Sequence, residues 1–223
     1  MARLHVLRVF TAADGSHGNP LGVFLDGADF SAARRQDVAG DLGFAETVFV
    51  DDAQRGAVRI FAPDMEMPFA GHPTVGTAWL LREQGFEVSG LRVPAGEVAA
   101  RADRELSWVA ARPEWSPPFS YVELASAAAV DELPLPNDLG LAYCWAWEDE
   151  GEGRVRARGF VPDAGIPEDE ATGSAALALA ARIGREVTVR QGGGSELFAR
   201  PLENGLAEVG GRVVLDETRE YGR

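Results

Sequence analysis

The sequence predicts an α+β protein of two pseudo-symmetric lobes, and three observations carry that prediction. DLGFAE beginning at Asp41 returns as DLGLAY beginning at Asp138, an offset of 97 residues. RIFAPDMEMP from Arg59 returns as RGFVPDAGIP from Arg158 at an offset of 99, and VGTA at Val75–Ala78 then falls on TGSA at Thr172–Ala175, again at 97. Each copy also runs through the same succession of strand signals before a Gly-led apolar helix. A period near 97 is too long for solenoid units of roughly 20–50 residues and suits two copies of one lobe of about 100 residues, an ordinary domain size. The lobes are expected at residues 1–113 and 119–223, joined through the proline-rich ARPEWSPPFS of Ala111–Ser120.

LHVLRVF alternates as a strand does, DGSHGNP is a turn cluster and LGVFL is the returning strand of a hairpin. SAARRQDVAGDLG predicts a short helix with Ser31 as N-cap and a stop near Gly40 or Gly43. ETVFV and AVRIFA are β-branched and aromatic enough to be the next strands. PFAGHPTVGTAWLLREQG predicts a helix from about Thr74 to Gln84, stopped by Gly85. Its counterpart IPEDEATGSAALALAARIG ends at Gly184, and its Ala/Leu run is apolar almost all round, so it should be buried on most sides. These two helices should form the cores of their lobes. LRVPAGEVAAR and VTVRQGGGSELFAR supply further strands. Trp145 and Trp147 alternate on one of the second copy's strands.

Composition narrows the function. Of 223 residues 46% are hydrophobic and 25% charged, ordinary for a globular chain. The net charge is −14, and all 21 basic residues are Arg, so a Schiff-base lysine is excluded. So acidic a chain without a basic stripe should repel nucleic acid and anionic membranes. No stretch of about 20 apolar residues occurs and the N-terminus does not resemble a signal peptide, so the expected location is the cytoplasm. The single Cys144 can form neither an internal disulfide nor a CxxC site. His5, His17 and His72 are too dispersed for a sequence-evident zinc site, and no phosphate- or dinucleotide-binding glycine motif is present.

In a duplicated scaffold, packing residues stay alike while a reaction needs different groups on its two sides, so disagreements between copies point to chemistry. Glu46 aligns with Tyr143, Asp169 with Ala70, and His72 falls beside the two-residue deletion with no His counterpart. One lobe thus offers Glu46 and His72, the other Asp169 and Ser174, all proton-transfer residue types whose pKa values burial can bring toward neutrality. Gly71-His72-Pro73 and Thr172-Gly173-Ser174 lead into the two helices and can present backbone N–H groups at the positive end of a helix dipole, suiting a carboxylate. Pro73 biases His72 toward an extended conformation. Each residue also has a structural use: Glu46 as a solvated carboxylate, Asp169 and Glu170 as dipole partners, Ser174 as a cap, His72 as a satisfied histidine, Asn19 as a turn residue between Gly18 and Pro20. Asp64 and Asp163 stand in both copies as Pro-Asp and are read as turn residues.

At these residues the sequence resembles the phenazine-biosynthesis isomerase family, the PhzF-like proteins, which are similar in fold to diaminopimelate epimerase. The resemblance rests on GNPLGV at Gly18, AETVFV at Ala45, RIFAPDMEMPFAGHPTVG at Arg59, PEDEATGSAA at Pro167 and QG at Gln191, and spans nearly the whole chain. It implies two lobes, each a mixed or antiparallel sheet wrapped around a central helix, with the site in the cleft, no cofactor, and a homodimer. It also implies Glu46 as catalytic acid/base, with His72, Asp169 and Ser174 as partners in proton transfer and substrate positioning. Asn19, Gly71 and Gly173 would be substrate-binding, the two glycines through their N–H groups. Two departures stand out: Glu170 where the family usually has Pro, and a glycine-rich 192–194 segment that delays Arg200-Pro201. The epimerase's paired cysteines are absent. The expected activity is movement of a proton, and with it a double bond, within a small cyclic or amino-acid-like carboxylate. The alternatives are a racemase or epimerase using Glu46 and Asp169 on opposite faces, and a non-catalytic protein that binds small acids.

Overall fold

The computed structural model describes residues 2–135, 138–162 and 167–222; the Pro-Asp at Asp163 lies outside them. The first copy comprises β1 (Ala2–Thr11), β2 (Asn19–Phe24), α1 (Ala32–Leu42), β3 (Glu46–Asp52), β4 (Ala57–Phe61), the short β5 (Glu66–Met67), α2 (Gly71–Glu83), β6 (Gly90–Val93), β7 (Gly96–Asp103) and β8 (Leu106–Ala111). The second comprises β9 (Ser120–Glu123), α3 (Ala127–Asp131), β10 (Ala142–Asp149), β11 (Arg154–Phe160), α4 (Gly173–Ile183), β12 (Val187–Gln191), β13 (Ser195–Pro201) and β14 (Ala207–Tyr221). The proline-rich link spans the end of β8 to the start of β9, as its prolines predict.

The pairings repeat with the sequence. From β2 to β8 the ladder runs parallel, antiparallel, parallel, antiparallel, antiparallel. From β9 to β14 it runs in the same order. β1 stands outside the repeat and pairs with both β2 and β14. Because β14 also pairs with β8, eight strands close into a ring, β1-β2-β3-β4-β6-β7-β8-β14, which leaves no free edge. α2 packs against strands all round that ring and is buried from Gly71 to Ala78, then at Leu80 and Leu81, so it threads the middle. β9 to β14 make an open arc around α4, whose Ala175, Ala176, Leu177, Leu179 and Ala180 are buried. The long β14 belongs to both sheets. Among the described residues no helix is long and apolar enough to cross a membrane.

Capping matches expectation at α1, where the Ser31 hydroxyl accepts from the Arg34 N–H and the helix closes at Gly43. α2 differs. It begins at Gly71 rather than Thr74, which puts His72 in the first helical turn and not in an extended stretch. Pro73 sits where a missing N–H costs no intrahelical bond, so the first turn accepts it. Likewise Ser174 is inside α4, and the capping position belongs to Thr172.

These helix starts also correct the internal alignment. Ala70 and Thr172 are both N-caps, so the copies run at an offset of 102 here, and VGTA falls in the second turn of α2 while TGSA opens α4. Three residues before each N-cap stands a residue that bridges the preceding strand, Met67 to Ile60 and Asp169 to Gly159. An ion pair accompanies each bridge, Arg59 with Glu66 and Arg158 with Glu168. Asp169 therefore replaces Met67, not Ala70, and His72 has a counterpart, Ser174. Glu46 and Tyr143 keep their offset of 97 near the start of equivalent parallel strand pairs, Glu46 first in its ladder opposite Leu21 and Tyr143 second in its own opposite Tyr121.

Candidate active site

The two helix starts meet. A Cβ placed on Gly71 would lie 2.4 Å from the Ser174 nitrogen and 2.5 Å from the Gly173 carbonyl carbon, so the first turns of α2 and α4 touch backbone to backbone. On the other side Gly173 packs on the ring of Phe10, a buried residue held at φ +68° where β1 bulges. Both positive helix ends are thereby directed at one region, where anions are stabilised.

Beside this contact lies a cavity of about 200 Å³ lined by Glu46, Asp169, Thr172 and Ser174 on its polar side and by Phe69, Phe119, Leu141, Met67 and Val161 on its apolar side, with Asp64 and Met65 also on its wall. Glu46 comes from β3 and Asp169 from the segment before α4, one from each copy. Glu46 keeps 17% of its side-chain surface, yet its Oε2 is sealed from solvent. That oxygen faces His72 Nε2 at 3.4 Å, and neither atom has a hydrogen-bond partner among the described residues. His72 itself lies behind Glu46 and is buried.

Asp169 is held differently. Its Oδ1 accepts from Asn19 Nδ2 at 2.6 Å and its Oδ2 from the Thr172 hydroxyl at 2.8 Å. Asn19 Nδ2 also reaches the Ala171 carbonyl at 3.1 Å and lies 3.3 Å from His72 Nδ1. Gln191 donates to the Asp169 carbonyl and to Thr172 Oγ1, and accepts from the Tyr143 hydroxyl. Thr172 and Gln191 were not among the expected site residues. Their signal was the register: Tyr143 and Asp169 stand where the first copy has Glu46 and Met67, and buried polar groups in such places need partners.

The electrostatics follow from burial. Burial holds the Glu46 carboxyl well above the usual carboxylate range, and the Asp169 charge pushes the same way. Burial also raises Asp169, against the hydrogen bonds from Thr172 and Asn19, which favour its charged form. His72 is pulled down to about 3 by burial, with a hydrogen bond to the Pro20 backbone opposing. The imidazole is therefore neutral near pH 7, and its contact with Glu46 is not an ion pair. Cys144 is on the opposite side of β10 from Tyr143, in a small apolar cluster, with its thiol raised by burial; it does not line the cavity.

A stability test follows. A carboxyl whose folded pKa is raised stabilises the fold only while protonated, so Glu46 costs stability as pH rises through its folded value. Glu46→Gln is therefore expected to melt above the wild type at pH 7–8. The gap should close on acidification toward pH 4.5, at a slope of up to about 1.4 kcal/mol per pH unit, each kcal/mol being worth roughly 2–4 °C in Tm. His72 acts in the other direction, losing stability as pH falls from 6.5 toward 3, but it is common to both proteins and cancels in the difference. A pH-independent difference would show that Glu46 is not raised.

Comparison with known proteins agrees with this architecture. The family model "Phenazine biosynthesis-like protein" (PhzC-PhzF) matches residues 7–138. Trans-2,3-dihydro-3-hydroxyanthranilate isomerase of Pseudomonas chlororaphis is 30% identical over 218 residues, 78% of this chain and 77% of that protein. A PhzF-family crystal structure from Enterococcus faecalis superposes with a TM-score of 0.80 at 22% identity, over 100% of this chain and 99% of that one. A probable proline racemase from Agrobacterium radiobacter shares the fold more distantly, with a TM-score of 0.62 at 13% identity over 100% and 93% of the two chains. With the family model covering more than half the chain and an isomerase 30% identical matched over 78% of it, the chain belongs to the phenazine biosynthesis-like PhzC-PhzF family and is one of its isomerases.

Proposed function

We propose that this isomerase moves a proton, and with it a double bond, within a small ring-bearing carboxylate, with Glu46 as the acid/base and no cofactor. The observation that carries the reading is the asymmetry between the Glu46 and Asp169 carboxyls. Both Asp169 oxygens are engaged by donors, whereas Glu46 Oε2 has none among the described residues and its carboxyl is held high by burial, which makes its carboxylate the stronger base. Glu46 takes a proton from carbon; the electron pair left behind shifts the double bond, and Glu46, after exchange of its proton with solvent, returns a proton at the far carbon of the allylic system. His72 stands behind Glu46 and Asp169 binds a polar substituent. Ser174 and the N–H groups at Gly71 and Gly173 receive the substrate carboxylate, and Asn19 orients Asp169. The described residues lining the cavity include carboxyls and no Arg, so the helix starts supply the attraction for an anion.

The cavity volume suits one ring, and the dihydro-hydroxyanthranilate named for the Pseudomonas relative is the first substrate to try. Turnover of that compound in deuterium oxide is the test, with deuterium expected at the carbon that gains hydrogen. Inversion at a stereocentre without double-bond movement would favour the racemase reading; binding without exchange would favour the non-catalytic one.

The same reading includes lobes at 1–113 and 119–223, a cytoplasmic location, no nucleic-acid or membrane partner, and a homodimer. The open arc from β9 to β14 and the exposed Leu215 leave surface that a second copy can cover. Added salt should favour the dimer by screening two acidic subunits. Light scattering giving a monomer mass at micromolar concentration in both low and high salt would exclude it.

A further inference from the structure

The two departures noted in the sequence, Glu170 and the run of three glycines after Gln191, are two sides of one contact. The Glu170 carboxylate lies over the turn that joins β12 to β13. Its oxygens accept from the Gly193 N–H at 3.1 and 3.0 Å, and Oε1 accepts the Ser195 hydroxyl at 2.7 Å. The glycines are required by what covers them. A Cβ on Gly192 would lie 2.2 Å from Glu170 Oε2, and on Gly194 it would lie 2.8 Å from the His17 ring. Fully buried Ser195 then reaches the first copy: its Oγ accepts the Gly18 N–H at 2.9 Å. The next residue, Asn19, donates to Asp169, the neighbour of Glu170. The circuit closes: Glu170, Ser195, Gly18, Asn19, Asp169.

We propose that Glu170 is a positioning residue: through Ser195 and the Gly18 N–H it fixes the β1–β2 turn against the second lobe and thereby sets Asn19 on Asp169. Arg8 holds the other flank of that turn, donating to the Gly15 and His17 carbonyls at 2.7 Å while pairing with Asp216. The turn is thus clamped from both sheets, and only the Glu170 side passes through a residue of the cavity's polar network. A buried hydroxyl with donor and acceptor both satisfied is costly to leave half-paired, so removing Glu170 loosens Gly18 as well as Gly193.

The catalytic part of this inference rests on the proposed function, and the test separates the two. Amide hydrogen exchange by NMR on the full chain reads the clamp without turnover. In Glu170→Ala the Gly18 and Gly193 amides are expected to exchange about tenfold faster, as for one lost hydrogen bond, and the Asn19 side-chain amide signal to shift. Ser195→Ala, which leaves the Glu170 charge in place, should loosen Gly18 in the same way and serves if Glu170→Ala folds poorly. With trans-2,3-dihydro-3-hydroxyanthranilate as probe, kcat is expected to fall about 10- to 100-fold with KM little changed, the scale of a misplaced reacting group. Glu170→Gln keeps one acceptor for Ser195 and should restore most of the lost kcat.

Faster exchange at Gly193 alone, with Gly18 and Asn19 unmoved, overturns the proposal, as does loosening of Gly18 with kcat unchanged. If wild type turns over no probe, the functional reading fails while the exchange data still decide the clamp.

Discussion

Glu46→Gln is expected to lower the rate of double-bond isomerisation, and of the accompanying deuterium incorporation, by about 10²–10⁴-fold, the usual contribution of a positioned acid/base group. The substitution keeps the size and shape of the side chain and removes only its ability to hold a carbon-derived proton. The two titratable groups nearest to it are poor replacements: Asp169 has both oxygens occupied, and His72 stands behind Glu46 with its basicity suppressed by burial. Binding of the substrate carboxylate, carried by the helix starts, should change little, so the loss belongs in kcat rather than KM. The same variant should be more stable than wild type at pH 7–8, which makes trivial unfolding an unsuitable explanation for lost activity. Retention of more than about a tenth of the wild-type rate would remove Glu46 from the role of base.

Gly71→Ala is expected to have the largest effect on the fold. The added methyl meets backbone, not a flexible side chain, with three atoms of Gly173 and Ser174 within 2.7 Å. The helices cannot yield singly, because α2 is enclosed by the ring and Gly173 rests on Phe10. Overpacking typically costs 1–3 kcal/mol, and backbone-to-backbone overlap belongs at or above the top of that range. Tm should therefore fall by roughly 6–12 °C. Whatever protein folds should also lose about 10²-fold in turnover, because His72 and Ser174 ride on the displaced turns. An alanine variant with unchanged Tm and rate would mean that the two helix starts do not touch. A control is available in Gly85→Ala, where the φ of +83° predicts backbone strain but no Cβ contact, so stability should drop without a matching loss of specific activity.

Much of this was legible in the chain because duplication writes itself in local signals. The repeated strand and turn chemistry predicted two like lobes, and Ser31 and Gly43 bounded α1 correctly because capping is a short-range interaction. The buried Ala/Leu face of α4 predicted a central helix. The PhzF-like motifs named Glu46, His72, Asp169 and Ser174, and the fold brings these within one small region. What failed was register. VGTA and TGSA look alike, but a helix accepts small residues at any turn, so the match carried no positional information. The start of α2 was misplaced for a related reason: Pro73 and its preceding residue disfavour a helix locally, and burial of the first turn against α4 overrides that preference.

The sequence by itself determined the duplication, the strand and helix content and the residue types available for proton transfer, because period, capping and side-chain chemistry are local properties. The tertiary structure decided what each residue answers to. Only the ring closed by β1 and β14 brings Asn19 onto Asp169 across 150 residues of chain. Only the assembled fold gives both oxygens of Asp169 a partner while Glu46 Oε2 has none among the described residues. Two carboxyls of similar intrinsic acidity thereby acquire different surroundings, because burial and hydrogen bonding, which set the balance between charged and neutral forms, depend on neighbours distant in sequence.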